Sequence, residues 1–252
     1  MTDSSENDNL ASFISHLIEL RDRLVRISIV VVLVFLALMP FAAQIFDLLA
    51  APMMQALPAG AHMIATGVIT PFLIPVKITL VVALLISLPW VLYQIWAFVA
   101  PGLYAHEKRL IAPLVISSSL LFIAGVAFCY FFVFRVVFSF VNQFAPKSIS
   151  VAPDIESYLD FVMTMFLAFG VTFEVPIIVI VLVRMGFVTV ERLRDVRPYV
   201  IVGAFVVAAI VTPPDITSQL LLAVPMCLLF EIGLFIAPWF KKVTTEPAAN
   251  NG

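Results

Sequence analysis

Six apolar runs dominate this chain and leave few folds open to it. They cover about 24–43, 72–100, 110–141, 158–183, 198–211 and 216–237. A helix needs ~20 consecutive apolar residues to cross the hydrocarbon layer, and most of these runs reach that length. Composition agrees, with 63% of the residues hydrophobic and only 12% charged. Mean hydropathy is +1.13. Such a chain cannot fold into a water-soluble sphere without exposing large apolar patches. Disorder, collagen and a disulfide scaffold are excluded as well. The expectation is an all-α, polytopic membrane protein with six transmembrane helices in a single domain over 10–237. Polar tails flank that domain at 1–9 and 238–252.

Two of the runs have lengths that matter. At 1.5 Å per residue the third would reach ~48 Å, so it must tilt or project beyond the bilayer. The fifth would reach only ~21 Å. The Thr212-Pro213-Pro214-Asp215 turn that follows it should therefore sit below the membrane surface, with local thinning of the bilayer. Ahead of the first run, residues 10–24 carry apolar side chains at helical spacing, with His16, Glu19, Asp22 and Arg23 on the other face. This predicts an amphipathic helix in the headgroup region. The acidic start carries no cleavable signal or transit pattern.

Orientation follows from Lys and Arg placement. Arg21, Arg23, Arg26, Lys108, Arg109, Arg184, Arg192, Arg194, Arg197, Lys241 and Lys242 fall on one side, and Lys77, Arg135 and Lys147 on the other. Both termini are expected in the cytoplasm. A net charge of −2 gives no reason to expect a nucleic-acid partner.

Glu174 is the most informative single residue. It lies inside the fourth apolar run, where a carboxylate costs several kcal/mol and marks function by default. Pro176 frees the carbonyl of Thr172, so a kinked, hydrated notch is expected there. The alternative is a protonated carboxyl bonded to a neighbouring helix. Lys77 and Arg135 read as snorkelling to outer headgroups, and Glu231 as interfacial. Glu107 sits in a cytoplasmic loop beside Lys108 and Arg109, and composition alone makes it a solvated ion pair. Cys129 and Cys227 read as buried thiols. His16, His62 and His106 lack metal-ligand spacing, and no nucleotide-cradling glycine loop is present. No enzyme, metal or cofactor is expected.

Several stretches go further together than any does alone. These are His16 to Leu24, Ile64 to Thr66, Pro71-Phe72, Phe98 to Arg109 and Ser117 to Phe122. Phe169 to Pro176, Arg197 to Tyr199, Thr212 to Asp215 and Phe230 to Gly233 complete the set. In order and spacing this sequence resembles the TatC family, the core of the twin-arginine protein translocase. The resemblance covers roughly 10–236. It implies a cup-shaped helix arrangement with the last two helices short, in a bacterial inner membrane. It also implies a receptor for signal peptides bearing two consecutive arginines, which helps move folded proteins across the membrane on the proton gradient. Partners would be single-span TatA- and TatB-type proteins and further copies in a receptor complex.

The resemblance places Glu19 and Glu107 as acidic groups that receive the twin arginines. Phe98, Leu17, Leu20 and Arg21 fall on the same signal-peptide surface. Glu174 matches the family's intramembrane glutamate. Thr212 and Gln219 match polar positions where the single-span partners dock, and Pro52 and Asp215 match outer-face positions tied to function. The competing expectation is a proton-coupled small-solute secondary transporter using Glu174. It calls for substrate-sized polar groups at depth and often a repeat. An intramembrane protease would need a nucleophile–base or paired-carboxylate constellation.

Overall fold

A computed structural model of the chain describes residues 2–57, 62–99, 111–144, 152–212 and 215–240, with side chains except at 2–13, 99, 111, 141–144 and 240. Helix α1 (Thr2–Leu38) is continuous. The amphipathic stretch and the first apolar run thus form one rod rather than two elements. No Gly or Pro interrupts it until Pro40, where the short 3₁₀ turn Met39–Phe41 hands over to α2 (Ala42–Ala56). Proline disfavours the α conformation in the residue before it, and the same effect recurs twice further on.

The second apolar run is broken at Ser87. Helix α3 (Thr70–Ile86) and helix α4 (Leu88–Val99) are bent by 55°, with Pro89 in the first turn of α4. Pro75, by contrast, stays inside α3, where the Thr79 hydroxyl donates to its carbonyl at 2.6 Å. The third run holds α5 (Ile111–Phe128), a π-helical turn Cys129–Val133 and α6 (Phe134–Phe144). The fourth is α7 (Ile155–Phe173) followed by α8 (Val175–Arg184), with Glu174 at the joint and Pro176 just beyond. A Schellman turn closes α8: Gly186 (φ 74°) and Phe187 donate to Val183 and Leu182. Short α9 (Val190–Asp195), α10 (Arg197–Val211) and α11 (Ile216–Ile236) complete the helices.

No strand is present among the described residues, and one isolated parallel bridge joins Ile64 to Asp154. Among the described residues, four helical stretches are long and apolar enough to cross a membrane, over Ile14–Ala56, Ala112–Phe140, Ile155–Arg184 and Ile216–Trp239. The bent α3–α4 pair brings the count to five. Helix α10 spans 15 residues, about 22 Å at the helical rise. The Pro213-Pro214 turn lies outside the described residues.

The largest buried cluster joins α2, α3, α6, α7 and α11 around Phe134, Phe169, Met165 and Leu222. Helices α5 and α7 approach closely: a Cβ at Gly125 would stand 2.5 Å from the Phe169 carbonyl oxygen, the small-residue contact used where helices pack in lipid. A second cluster packs α8 on α9 and α11, and a third joins α4, α5 and α8 through Trp96, Phe122 and Ile177. Many apolar side chains point outward, including Leu33, Phe131, Ile210 and Phe235, as expected of surfaces that face lipid.

Candidate functional site

The first group of sequence-predicted residues meets where α1 passes the end of α4. The Arg23 guanidinium donates to Glu19 Oε1 from Nη2 at 2.6 Å and from Nε at 3.0 Å. Across the gap it donates to the Gln94 side-chain oxygen at 3.1 Å and the Ala97 carbonyl at 3.1 Å. One turn away, His16 stacks on Phe98 with ring centroids 4.2 Å apart. Glu19, Arg23 and His16 share a helix face by their spacing of three and four, and Gln94, Ala97 and Phe98 do the same on α4. Leu17, Leu20 and Arg21 remain exposed on α1, and Arg21 pairs with its neighbour Asp22 at 2.8 Å. Glu107 lies outside the described residues.

Sequence reasoning missed Gln94 and the anchoring role of Arg23. Gln94 is only 2% exposed, and a lone amide inside an apolar run was the signal available in the sequence. A buried amide needs a partner, and Arg23 is that partner.

Glu174 is the second centre. It is 8% exposed, and its Oε1 has no hydrogen-bond partner among the described residues. Phe122 of α5 stands against Gly170 of α7, which brings Ser118 to the level of the carboxyl. Ser118 is itself fully buried and accepts from the Trp96 indole N–H at 3.0 Å. Beside this joint a groove of about 670 Å³ opens between α5, α8 and α11. Leu121, Ala124, Phe173, Pro176, Ile177 and Ile232 contribute to its lining, with Arg184 at one end. That surface is almost entirely carbon.

The remaining positions lie at the end of the molecule away from Arg23. Pro52 sits inside α2 and cannot donate to the Leu48 carbonyl four residues back. The Tyr130 hydroxyl donates to that carbonyl at 2.7 Å, and the Tyr158 hydroxyl to Leu49 at 2.7 Å. Asp215 caps α11 by accepting from the Ser218 N–H at 2.7 Å. The Thr212 hydroxyl is buried and turned back to the Ala208 carbonyl at 2.8 Å. Gln219 is half-buried in the first turn of α11.

A clasp ties the segment before α3 to the start of α7. Ile64 and Asp154 form the bridge, Thr66 donates to Asp154 Oδ1 at 2.9 Å, and Asp154 Oδ2 caps α7 by accepting from Ser157. The Ser157 N–H and then the Thr66 hydroxyl hold the Asp154 carboxyl below its ordinary value. Lys77 pairs with Glu156 at 3.1 Å. At the opposite end Glu231 accepts from Arg197 at 2.6 Å, which ties α11 to α10. Arg135 is exposed. Cys129 and Cys227 are free thiols. Among the described residues no group of His, Cys, Asp or Glu could hold a metal ion.

Comparison with known proteins places this arrangement. The family described as Sec-independent protein translocase protein (TatC) matches residues 15–225. The TatC protein of Haemophilus influenzae is 53% identical over 247 residues, covering 98% of this chain and 96% of the relative. That of Escherichia coli K12 is 53% identical over 227 residues, covering 90% and 88%. A crystal structure described as the twin arginine translocase receptor TatC superposes with a TM-score of 0.79 at 38% identity, over 89% of this chain and 99% of the other. The chain therefore belongs to the TatC family of Sec-independent protein translocase proteins.

Proposed function

We propose that this translocase component is a twin-arginine signal-peptide receptor of the bacterial inner membrane. With TatA- and TatB-type single-span partners it would carry folded proteins outward on the proton gradient. Counting the α3–α4 pair and α10 as one span each brings the spans to six, with both termini in the cytoplasm. That orientation puts the α1–α4 corner on the cytoplasmic side, where signal peptides arrive.

The observation that carries the reading is the corner itself. A carboxylate, an amide oxygen and a backbone carbonyl already surround one guanidinium there, that of Arg23, beside a stacked His16–Phe98 pair. The same groups suit a second guanidinium, delivered by a peptide to Glu19 and Glu107. A carboxylate accepts two parallel bonds from arginine's planar fork, which lysine cannot reproduce. Leu17, Leu20 and Arg21, exposed on α1, suit the adjoining apolar stretch of the peptide. Thr212 and Gln219 lie where α10 and α11 present Ile210, Ile216 and Leu220 outward, a face of the right length and polarity for a single-span partner. Pro52 and Asp215 hold the outer face in shape. Apart from Ser117 and Arg184 the groove beside Glu174 is lined by apolar residues, which suits a small-solute transporter poorly.

The test is equilibrium binding of twin-arginine and twin-lysine signal peptides to the full chain in lipid nanodiscs. Glu19→Gln and Glu107→Gln should each weaken the arginine peptide about tenfold, the scale of a lost charged hydrogen bond, and leave the weak lysine binding alone. Glu174→Ala should preserve peptide binding and impair transport or partner assembly. Equal affinity for both peptides in the wild type would overturn the receptor reading.

A further inference from the structure

Helix α4 belongs to both centres at once. Gln94, Ala97 and Phe98 face α1, where they hold Arg23 and His16. Leu88, Leu92 and Trp96, four residues apart, face α5 and α8 in the third buried cluster. From that second face the Trp96 indole reaches Ser118 at 3.0 Å. On α5, Ser118 and Phe122 share a stripe; on α8, Glu174, Ile177 and Val181 share another. Phe122, Ile177 and Val181 all pack in the cluster with Trp96. Phe122 also stands against Gly170, and four residues along from each, Ser118 comes level with Glu174. The root of α4 is the 55° bend at Ser87, whose hydroxyl is buried and has no partner among the described residues.

We propose that Trp96 and Ser118 are positioning residues that couple the α1–α4 corner to the Glu174 carboxyl, with α4 as the lever pivoting at Ser87. This rests on the receptor reading above. The chemistry is directional. A serine hydroxyl has a single hydrogen. The Trp96 N–H bond to Ser118 Oγ holds the serine rotamer and leaves its hydrogen and second lone pair for the carboxyl. Removal of the indole N–H frees the Ser118 hydroxyl to turn away from the carboxyl. A peptide that displaces α4 at Gln94 and Phe98 moves Trp96 with it, and so alters what Glu174 is offered. The orphaned Oε1 is the atom left to respond.

The test uses the full chain in nanodiscs and in cells, with Trp96→Phe, Ser118→Ala and Ser118→Thr. Trp96→Phe keeps the ring and loses the N–H; Ser118→Thr keeps the hydroxyl. Both Trp96→Phe and Ser118→Ala should keep the preference for the twin-arginine over the twin-lysine peptide, since both residues lie on the far face of α4 from the corner. Both should lower export about tenfold, and Ser118→Thr should restore it.

The specific readout is the infrared carboxyl band of Glu174, identified by its loss in Glu174→Gln. Peptide addition should shift that band in the wild type and in Ser118→Thr, and leave it unmoved in Trp96→Phe. An equal peptide-induced shift in Trp96→Phe would overturn the coupling, as would wild-type export from Ser118→Ala. So would a loss of export in Ser118→Ala that Ser118→Thr does not restore. A wild-type protein that fails to prefer arginine would instead overturn the receptor reading.

Discussion

Single residues in this protein are explained by what their backbone or charge leaves unpaired. Pro52 is the clearest case. Its missing N–H leaves the Leu48 carbonyl to Tyr130. Tyr130→Phe should therefore cost about 1 kcal/mol of stability, read from denaturation in detergent, and a Pro52→Ala background should shrink that cost, since alanine restores the intrahelical donor. Asp154 carries a pH dependence. Its carboxyl is held low by Ser157 and Thr66, so the charged form is favoured in the folded chain. The contribution is complete above the ordinary carboxylate range and is lost as the pH falls through the lowered value. Exchange at the Ile64 and Ile155 amides, corrected for intrinsic rates, should accelerate below that range, and Asp154→Asn should abolish the dependence. Glu174 was legible from sequence because an intramembrane carboxylate is costly wherever it lies. Trp96 was not, because an indole becomes informative only once its partner on another helix is known; Gln94 stood out as a lone amide in an apolar run, but nothing in the sequence named Arg23 as its partner.

At the scale of elements, prolines and glycines decide where helices bend and how near they come. The expected kink near Pro176 falls on Glu174 itself. The second run bends before Pro89, whereas Pro75 stays inside α3 even though it cannot donate to the carbonyl four residues back. The π-helical turn at Cys129–Val133 left no mark in the sequence, since its residues are as apolar as their neighbours. The union of the amphipathic stretch with the first span was equally hidden. A change from mixed to apolar composition alters the solvent a helix meets, while its backbone continues unbroken. The α5–α7 contact sets the geometry around Ser118 and Glu174. Gly125→Ala would press a methyl group on the Phe169 carbonyl, and backbone yields little. The expected cost is about 1–3 kcal/mol, measured as a lowered melting midpoint in detergent, with Gly203→Ala, where a Cβ meets nothing within 4 Å, as the neutral control.

Across the whole molecule, the apolar runs and the order of the motifs together made the family readable before any coordinates. The cross-helix pairs were not readable: Lys77 with Glu156, Arg197 with Glu231, and Arg23 with Gln94 each join segments far apart in sequence. Those pairs turn a string of spans into a body with the α1–α4 corner at one end, a clasp at the other and a carboxylate between. The account's central claim is that the corner receives paired arginines. The most direct test is a photo-crosslinker placed at position 107 in membranes that retain the folded protein, offered a folded cargo with a twin-arginine signal or the same cargo with twin lysine. An adduct formed with the arginine signal and not with the lysine signal is the expected result. Adducts of equal yield with both signals, or none with either, would contradict it.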